Sequence, residues 1–485
     1  MFLFCVYSVS QIRIFEEFAR RMPERTPRLF LSFNDTPEVN TTLRVTTERI
    51  SSRLEVLAEH SGAVTSSELD DERGRSEFEI YKSKIPLNES YCDILLRQKA
   101  ACRKLLLENA IDTVIVCEDG PGGCAALIAV AQELGILVVE MPFGIGEMRD
   151  YRMHIENRAA EKTLNLVPDD PTGKALRKYA PKWILPTEYG PITLFPAEFV
   201  LARIAVGLDL PEPWVVHGGS ADALLVESEA MERIYRRENV PARKLIMTGS
   251  CYADAVYDET ASDPALMKAY ETASLIDAEK PRILIALPPS YHRERKAEFA
   301  TYQETLERLL KGCRAAHPNA HITVSVHPAA DQATRQTVAD LADGVSDDWL
   351  LRLIARTDVF VTVVSSTIRW ALMAKKPVLN YDMYRFDQPT YDTAPAVFTT
   401  PELNQALQRL GDILATPESY HRAAMEVSAC SGEWGMMDGR NFVRLWQTLQ
   451  DLRQRHAERA TKPGKSSQQR SIAQRVLSLF RKTQD

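Results

Sequence analysis

A strand, a glycine-rich turn, a helix and a second strand follow one another within residues 113–140, and this order constrains the fold more than any other feature. Residues 113–117 are a continuous apolar run rich in β-branched side chains, and residues 125–134 have the apolar spacing of a helix. Gly135 follows the helix, and residues 136–140 form another short apolar run. Glycine ends helices readily because it accepts positive φ values. This order predicts a parallel sheet with helices packed on its faces.

The same alternation of strands and helices extends over much of the chain. Upstream and in the middle, the patterns predict strands at 2–7, 28–33, 214–217, 224–227 and 244–248, and helices at 12–22, 91–109 and 229–237, the last capped by Ser228. After an acidic stretch at 258–280, which we predict to be irregular, they predict strands at 282–287, 321–326, 359–364 and 377–381, and helices at 293–317, 332–341, 349–355 and 368–376.

The chain is too long for one ordinary domain. It has 485 residues, whereas a single hydrophobic core rarely grows beyond about 250–300 residues. We therefore predict two Rossmann-like α/β domains, at 1–265 and 266–455, and a basic tail at 456–485. Ligands of open α/β sheets bind beyond the carboxyl ends of the strands. Two such domains are expected to face each other across a cleft, so polar residues at strand ends are the candidates for function.

The composition is that of a globular protein, with 45% apolar and 26% charged residues. The eight cysteines are scattered without a CxxC pair, which favours reduced, buried thiols in the cytoplasm over a zinc site. No apolar run reaches the about 20 residues of a membrane-spanning helix. The apolar start at residues 1–7 lacks the basic region of a signal peptide. The net charge of −7 argues against general nucleic-acid binding.

The end of the chain differs in charge from the rest. Residues 453–485 hold nine basic residues and two acidic ones. Residues 461–469 have the composition of a flexible linker, and residues 471–482 place four apolar side chains on one helical face. A short basic amphipathic helix is typical of elements that contact membranes or partners, and an ordinary solvated helix is the alternative. We predict a cytoplasmic protein with peripheral contact to the inner membrane.

The strongest local pattern for chemistry is an apolar strand that runs directly into Ser365, Ser366 and Thr367 and then into a helix. The first turn of a helix has free N–H groups and the positive end of the helix dipole, so it attracts phosphate. Hydroxyl groups add further donors. Ser and Thr are also favoured as helix caps without any ligand, and a plain cap is therefore the alternative.

A second pattern places His327 and Pro328 at the end of a predicted strand. Proline cannot continue the hydrogen-bond ladder, so the strand should end there. An imidazole near donor phosphates can donate a hydrogen bond and stabilise the charge of a leaving group. A structural or surface histidine is the alternative.

A third pattern is the triplet Glu118, Asp119 and Gly120 after the strand at 113–117. Adjacent carboxylates repel each other, and partial burial raises the pKa of one of them toward neutrality, as a general base requires. A turn with an N-capping aspartate is the alternative.

In this order and spacing, the three patterns resemble the motifs of bacterial sialyltransferases and of related CMP-sugar and Kdo transferases. These enzymes have the GT-B fold, with two Rossmann-like domains facing across a cleft. The resemblance implies an inverting glycosyltransferase that moves a CMP-activated ulosonic or sialic-type sugar from a nucleotide-sugar donor to a glycan or lipid-linked glycan acceptor.

The same resemblance implies roles for particular residues. Asp119 would be the general base, with Glu118 beside it, and His327 would assist the departure of the nucleotide. Donor binding would fall to residues at the strand ends, namely Gly120, Pro328, Ser365, Ser366 and Thr367, and we add Ser290 and Asp382 because each follows a predicted strand.

Residues 221–228 and 240–250 resemble, more loosely, the epimerase and glycerophosphotransferase branches of the same fold. The CDP-glycerol branch has a His-Gly after the strand that corresponds to residues 136–140, where this chain has Phe143 in place of the His. A His-Gly occurs later, at His217. A UDP- or CDP-dependent epimerase or polyol-phosphate transferase of surface polysaccharide synthesis is therefore the alternative function, and a non-catalytic scaffold is the third.

No metal or other cofactor is required by either transferase hypothesis. The sequence has no evident DxD motif and no cluster of His and Cys residues, and hydroxyl groups, His and the helix dipole would neutralise the donor phosphates. We predict a nucleotide-sugar donor and a glycan acceptor as ligands, and no nucleic-acid partner.

Overall fold

The protein divides into two compact units. The computed structural model describes residues 1–32, 36–50, 53–56, 86–122, 124–293, 295–327, 330–363, 365–387, 389–392, 394 and 396–461. The first unit contains residues 1–226, 232–246 and the chain from Trp446 onward, and the second contains residues 227–231 and 247–445. The tail prediction falls mostly beyond residue 461, outside the described residues, as does Pro328.

The first unit contains most of the elements up to residue 247. Its strands are β1 (Phe2–Val6), β2 (Arg28–Ser32), β3 (Arg53–Val56), β4 (Thr113–Val116), β5 (Leu137–Glu140), β6 (Asn165–Leu166), β7 (Leu185–Thr187), β8 (Gly190–Thr193), β9 (Ala223–Val226) and β10 (Leu245–Met247). Its helices are α1 (Val9–Arg21), α2 (Pro37–Arg49), α3 (Glu89–Glu108), α4 (Ala125–Glu133), α5 (Met148–Ala160), α6 (Pro171–Tyr179), α7 (Ala197–Ala205) and α8 (Glu229–Arg237), of which α8 begins in the second unit.

The main sheet of the first unit has seven strands in the order β10-β9-β5-β4-β1-β2-β3. The pairs from β9 across to β3 are parallel. The inner strands β1 and β4 are fully buried, and helices α3 and α4 pack on the same core as these strands. Continuous apolar strands of this kind are expected where both faces of a parallel sheet are covered. Strands β6, β8 and β7 form a small antiparallel sheet that the sequence patterns did not predict.

The second unit is another parallel α/β layer structure. Its helices are α9 (Cys251–Ala261), α10 (Pro264–Thr272), α11 (Tyr302–Ala316), α12 (Gln332–Leu341), α13 (Leu350–Ala355), α14 (Ile368–Met373), α15 (Leu403–Leu414) and α16 (Pro417–Trp434). Its strands are β11 (Arg282–Ala286), β12 (His321–Ser325), β13 (Gly344–Ser346), β14 (Val359–Thr362), β15 (Val378–Tyr381) and β16 (Val397–Thr400). The strands lie in the order β13-β12-β11-β14-β15-β16, all parallel.

The last described helix, α17 (Asn441–Thr461), begins in the second unit and continues into the first. Within the first unit, the ring of Trp446 lies 5.7 Å from that of Phe2 and 6.5 Å from that of Phe18. Farther along the helix, Arg453 pairs with Asp112. The C-terminal helix therefore packs against the first strand and the first helix of the N-terminal unit.

The prediction of two Rossmann-like α/β domains is confirmed by the two parallel sheets. Most predicted elements are present with ends shifted by one to three residues, because the apolar periodicity marks the middle of an element better than its ends. Helices α8 and α12 have the predicted bounds, and the Ser228 hydroxyl accepts a hydrogen bond from Met231 N, as expected of a cap.

The predicted helix at 293–317 is too long, because α11 begins only at Tyr302. Thr301 caps it by accepting a hydrogen bond from Glu304 N at 3.1 Å. Upstream, Glu298 accepts hydrogen bonds from Tyr381 Oη and Leu403 N. These tertiary contacts hold the preceding segment in an irregular path.

Two other predictions of local structure are wrong. Residues 214–217 form a loop and not a strand, since the prolines at 211 and 213 remove donors from the approach to a ladder. Residues 258–280 are largely helical, not irregular, because α9 and α10 cover most of them. Asp263 caps α10, accepting from Ala265 N, and Pro264 is its first residue, an arrangement that favours helix initiation.

Candidate functional site

In the first unit, Asp119 lies just beyond the carboxyl end of β4 and is almost completely buried, with 1% of its surface exposed. Its Oδ1 accepts a hydrogen bond from Gly219 N at 3.1 Å, and its Oδ2 accepts one from Ala221 N at 2.6 Å. Burial raises the pKa of Asp119, and these two amides oppose that rise. The carboxylate is therefore engaged in holding the loop at 217–221.

Lys244 holds the same loop from its carbonyl side. Its Nζ donates to the carbonyl oxygens of Gly219 and Ala221, the latter at 2.6 Å. Burial lowers the pKa of Lys244, and the charge of Asp119 raises it. Asp119 and Lys244 thus bind the N–H and C=O groups of the same two residues, which holds the peptide groups on both sides of each residue.

Gly120 packs directly against this segment. A Cβ atom at Gly120 would lie 2.2 Å from the carbonyl oxygen of Val215 and 2.5 Å from that of Val216. Its own N–H donates to Val216 O at 2.7 Å. Glycine is required here for the close approach of two backbone segments, which is a structural reason for the Asp-Gly pair.

The loop at 217–221 begins with His217, whose imidazole has 1% of its surface exposed. Its Nδ1 contacts Oε1 of Glu140, the last residue of β5, and its ring meets that of Tyr235 edge to face at 5.1 Å. Burial, followed by the charge of Asp119, raises the pKa of Glu140 well above its usual range. A buried pair of a carboxyl and an imidazole fixes the orientation of the ring through Nδ1.

A glycine-containing loop, residues 142–147, covers the imidazole. A Cβ atom at Gly146, whose φ is +64°, would lie 2.9 Å from His217 Nε2. At its far end, Glu147 pairs with Arg237 of α8, and Met148 N donates to Glu238 at 2.9 Å. The loop therefore lies directly against the imidazole of His217.

Glu118, the neighbour of Asp119 in the chain, is half-buried and has a different hydrogen-bond partner. Its Oε1 accepts a hydrogen bond from Gln11 Nε2 at 3.3 Å. Burial, followed by the charge of Asp119, raises the pKa of Glu118. The two adjacent carboxylates thus have different partners, and Glu118 is the more accessible of them.

In the second unit, the predicted donor residues follow three neighbouring strands. His327 lies beyond β12, Ser290 beyond β11 and Ser365 beyond β14, and these strands are adjacent in the sheet. Ser290 is exposed, and His327 and Ser365 are half-buried. Burial lowers the pKa of His327, which favours the neutral imidazole. All three residues therefore follow the carboxyl ends of adjacent parallel strands, where ligands of open α/β sheets bind.

The Ser365-Ser366-Thr367 segment is held by its own hydroxyls. Ser365 Oγ accepts from Thr367 N at 3.2 Å and lies 2.8 Å from Thr367 Oγ1. The Oη of Tyr391 donates to the carbonyl oxygen of Ser365 at 3.0 Å. Helix α14 has only six residues, shorter than predicted, so its dipole contributes less than a long helix would.

The side chain of Asp382 stabilises a turn of the backbone. Its carboxylate accepts from Phe386 N at 2.9 Å and from Asp387 N at 2.8 Å, which closes a turn after β15. Nearby, Tyr384 Oη accepts from Tyr291 N at 3.1 Å and lies 2.9 Å from His292 Nδ1. Sequence patterns gave no sign of this aromatic cluster, since its members are distant in the chain.

Glu140 is the functional candidate that sequence reasoning missed. A glutamate at the end of an apolar strand, like Glu118 after β4, was the available signal. Among the residues that the structure describes, no group of three or more His, Cys, Asp or Glu side chains is arranged to hold a metal ion. Within the same part of the chain, no helix is long and apolar enough to cross a membrane.

Residues 216–420 match the family model of CDP-glycerol:poly(glycerophosphate) glycerophosphotransferases. The matched stretch includes His217, His327, Ser365 and Ser366 but neither Glu118 nor Asp119. It covers less than half of the chain. No curated protein has a sequence that matches this one significantly.

Solved structures with similar architecture are only distantly related in sequence. A Listeria monocytogenes protein described as a UDP-N-acetylglucosamine 2-epimerase aligns with a TM-score of 0.52 and 10% identity, over 93% of this chain and 95% of its own. The UDP-GlcNAc 2-epimerase from Neisseria meningitidis bound to UDP-GlcNAc aligns with a TM-score of 0.50 and 13% identity, over 93% of this chain and 100% of its own. The wall teichoic acid polymerase TagF aligns at 10% identity over 95% of this chain and 90% of its own, and its TM-score of 0.48 is too low to carry an inference.

At these identities the structural similarities concern the fold alone, and the family match concerns the class of enzyme. The two parallel sheets and the architecture of the two epimerase structures show the GT-B fold, and the matched segment supports a transferase.

Proposed function

We propose that the protein transfers a polyol phosphate from a cytidine-diphosphate-activated donor to a cell-surface polymer. The family match carries this proposal, because it includes His217, His327 and the Ser365-Ser366 pair and starts after Asp119. In such a reaction an acceptor hydroxyl forms a bond to the second phosphorus of the donor. The bond between that phosphorus and the oxygen of CMP breaks, and CMP leaves.

We assign deprotonation of the acceptor hydroxyl to His217. Its Nδ1 is held by Glu140, so Nε2 is the nitrogen that can accept the proton. The imidazole is covered by residues 142–147 in this structure, and we expect this loop to move before the acceptor reaches Nε2. Asp119 and Lys244 support the assignment as the residues that hold the His217 loop in place.

We assign binding of the donor phosphates to the carboxyl edge of the second sheet. The hydroxyls of Ser365, Ser366 and Thr367 are uncharged donors, and His327 adds an imidazole N–H. Lowering of the His327 pKa by burial makes a neutral donor the main form at physiological pH. Such groups stabilise the charge that develops on the CMP phosphate as it leaves.

A CMP-sugar transferase with Asp119 as general base is the second candidate. The order of Glu118-Asp119-Gly120, His327 and Ser365-Ser366 along the chain favours it. Both oxygens of Asp119, however, already accept backbone hydrogen bonds, which supports a role in positioning over a role in proton transfer.

Ligand binding and turnover separate these candidates. We expect CDP to raise the melting temperature more than UDP or GDP does, because at equal concentration the ligand that binds more tightly stabilises the folded protein more. His217→Asn should keep CDP binding and reduce release of CMP from CDP-glycerol by about 100-fold or more. Asp119→Asn should lower the melting temperature, since an amide N–H would then face a backbone N–H.

Two results would change the assignment. An Asp119→Asn protein that melts like the wild type, binds CMP and has lost turnover with a CMP-sugar would establish the second candidate. The absence of a thermal shift with any of CMP, CDP, UDP and GDP would exclude both, and would leave the scaffold hypothesis.

A further inference from the structure

Arg369 lies in α14, two residues after Thr367, and its side chain is completely buried, with 0% of the residue exposed. Its Nε donates a hydrogen bond to Glu227 Oε1, and its Nη1 donates one to the carbonyl oxygen of Ser366 at 2.5 Å. The guanidinium lies 4.7 Å from the ring centre of Trp370 and 5.7 Å from that of Tyr252. All of these residues belong to the second unit.

The Ser365-Ser366-Thr367 segment is therefore held by two side chains from outside it. Tyr391 Oη binds the carbonyl oxygen of Ser365 at 3.0 Å, and Arg369 binds that of Ser366. Because a peptide group is planar, fixing a carbonyl oxygen also fixes the direction of the N–H on the other side of the same peptide. The two contacts thus set the directions of the N–H groups of Ser366 and Thr367.

Glu227 makes this arrangement possible. A buried guanidinium without a carboxylate would be strongly destabilising, and Glu227 neutralises it with a side chain that is itself only 11% exposed. Arginine suits the position because its planar fork reaches two different partners at once. A lysine ammonium in the same place could not hold both acceptors in this geometry.

We propose that Arg369, oriented by Glu227, is a positioning residue that sets the Ser365-Ser366-Thr367 segment for the donor phosphate. The inference rests on the proposed function and deepens it, since it explains how the phosphate-binding segment keeps its shape. The ion pair with Glu227 is neutral overall, so Arg369 acts on the geometry of the segment. Its loss should weaken binding of the phosphate and leave binding of the nucleoside largely unchanged.

The test compares CMP with cytidine, which lacks the phosphate. Dissociation constants for both are measured by calorimetric titration of the full chain. We expect Arg369→Lys to weaken CMP binding by about tenfold, which is a readily resolved difference, and to change cytidine binding by less than about twofold. Glu227→Gln, which keeps the shape and one oxygen acceptor, should act in the same direction but less, by about threefold.

Arg444→Lys is the matched control. Arg444 also pairs with a carboxylate, Asp438, and also donates to a backbone carbonyl, that of Thr248 at 3.3 Å. It belongs to the same unit but does not contact the Ser365-Ser366-Thr367 segment. We expect this variant to bind CMP and cytidine as the wild type does.

Three outcomes would overturn the inference. Equal CMP affinity in wild type, Arg369→Lys and Glu227→Gln would show that the segment does not depend on this pair. A parallel loss of CMP and cytidine binding would show a general structural role. If the wild type binds neither CMP nor cytidine, the proposed function itself is wrong. This result is distinguishable from failure of the inference alone, because it is seen in the wild type without any substitution. If Arg369→Lys does not fold, the comparison of CMP and cytidine binding between Glu227→Gln and the wild type tests the inference.

Discussion

At the scale of single residues, the buried carboxylates of the first unit have different tasks. Asp119 accepts hydrogen bonds from two backbone amides, whereas Glu140 contacts the imidazole of His217. Burial raises the pKa of both. A buried carboxyl with a raised pKa can still orient a histidine, because the oxygen that carries no proton accepts a hydrogen bond in either protonation state.

Glu140→Gln should change how the stability of the protein depends on pH. Folding raises the pKa of Glu140 well above 4.5, so between the unfolded and folded pKa values the folded state holds a proton that the unfolded state releases. The free energy of unfolding then falls as the pH rises above about 4.5, by up to about 1.4 kcal/mol per pH unit. Glutamine has no such proton. We therefore expect the variant to gain stability relative to the wild type as the pH rises from about 5 to 8.

Urea denaturation across this pH range provides the measurement. Glu108→Gln, at an exposed site at the end of α3, is the control and should follow the wild-type curve. Parallel curves for wild type and Glu140→Gln would contradict the raised pKa.

The candidate residues at strand ends were predictable to different degrees. His327, Ser290 and Ser365 follow adjacent parallel strands, which the apolar runs before them indicate. The tasks of Asp119 and Glu140 were not predictable, because they depend on amides and an imidazole that lie about 80–100 residues away in the sequence. Sequence spacing carries no information on such contacts until the sheet order is known.

At the scale of elements, the loop at 142–147 covers His217 and leaves little space around its imidazole. Gly146 has a positive φ of +64°, and a Cβ atom there would lie 2.7 Å from Val216 Cβ. Anchoring by Glu147 and Arg237 fixes the far end of the loop. The loop thus has little room for a side chain while it covers His217.

We expect opposite effects from two glycine-to-alanine substitutions. Gly146→Ala should destabilise the protein by about 1–3 kcal/mol, because alanine is strained at this positive φ and its methyl group would clash with Val216 and His217. It should also reduce turnover by displacing His217. Gly411 lies inside α15 with no atom within 4 Å of an added Cβ. Gly411→Ala should stabilise the protein by about 0.5–1 kcal/mol.

Denaturant unfolding of both variants tests this expectation. If Gly146→Ala were as stable and as active as the wild type, residues 142–147 would not pack against His217.

Secondary structure was predictable where a local signal existed, and α8 and α12 are examples. The start of α11 was not, because Glu298 and its partners Tyr381 and Leu403 draw the preceding residues away from a helix. The small sheet of β6, β7 and β8 was missed because its strands are only two to four residues long. Such strands are too short for an alternation of apolar and polar residues to be recognised.

At the scale of the whole molecule, the chain returns to the first unit at its end. Trp446 packs on Phe2 and Phe18, and the guanidinium of Arg453 lies 4.6 Å from the ring centre of Phe2. The first strand of the N-terminal unit is therefore covered by the last described helix. Stability of the first unit should depend on residues more than 400 positions away.

Trp446→Ala should lower the free energy of unfolding by about 2–4 kcal/mol, because it removes a large apolar side chain from an aromatic cluster. Val443→Ala, on the same helix with an exposed side chain, should change it by less than about 0.5 kcal/mol. Equal stability of the two variants in urea would show that the returning helix adds little to the first unit.

The basic tail is proposed to contact anionic membranes. Its charge and apolar pattern come from the sequence alone, since residues beyond 461 are outside the described part of the chain. Removal of residues 462–485 should reduce co-sedimentation with anionic liposomes and leave turnover on a dissolved acceptor unchanged, because attraction to anionic lipid adds about 1 kcal/mol per basic residue. Unchanged co-sedimentation would refute the proposal, and neutral liposomes serve as the control.

The sequence by itself determined the two α/β units and the strand ends that carry His327 and Ser365-Ser366-Thr367, because apolar periodicity and the geometry of parallel sheets are local properties. Only the tertiary structure decided that Asp119 is engaged by the loop at 217–221, that Glu140 meets His217 and that Arg369 holds Ser366. It also decided that the C-terminal helix completes the first unit. Each of these depends on side chains brought together across long stretches of chain, where burial and hydrogen bonding, and not spacing, choose the partners.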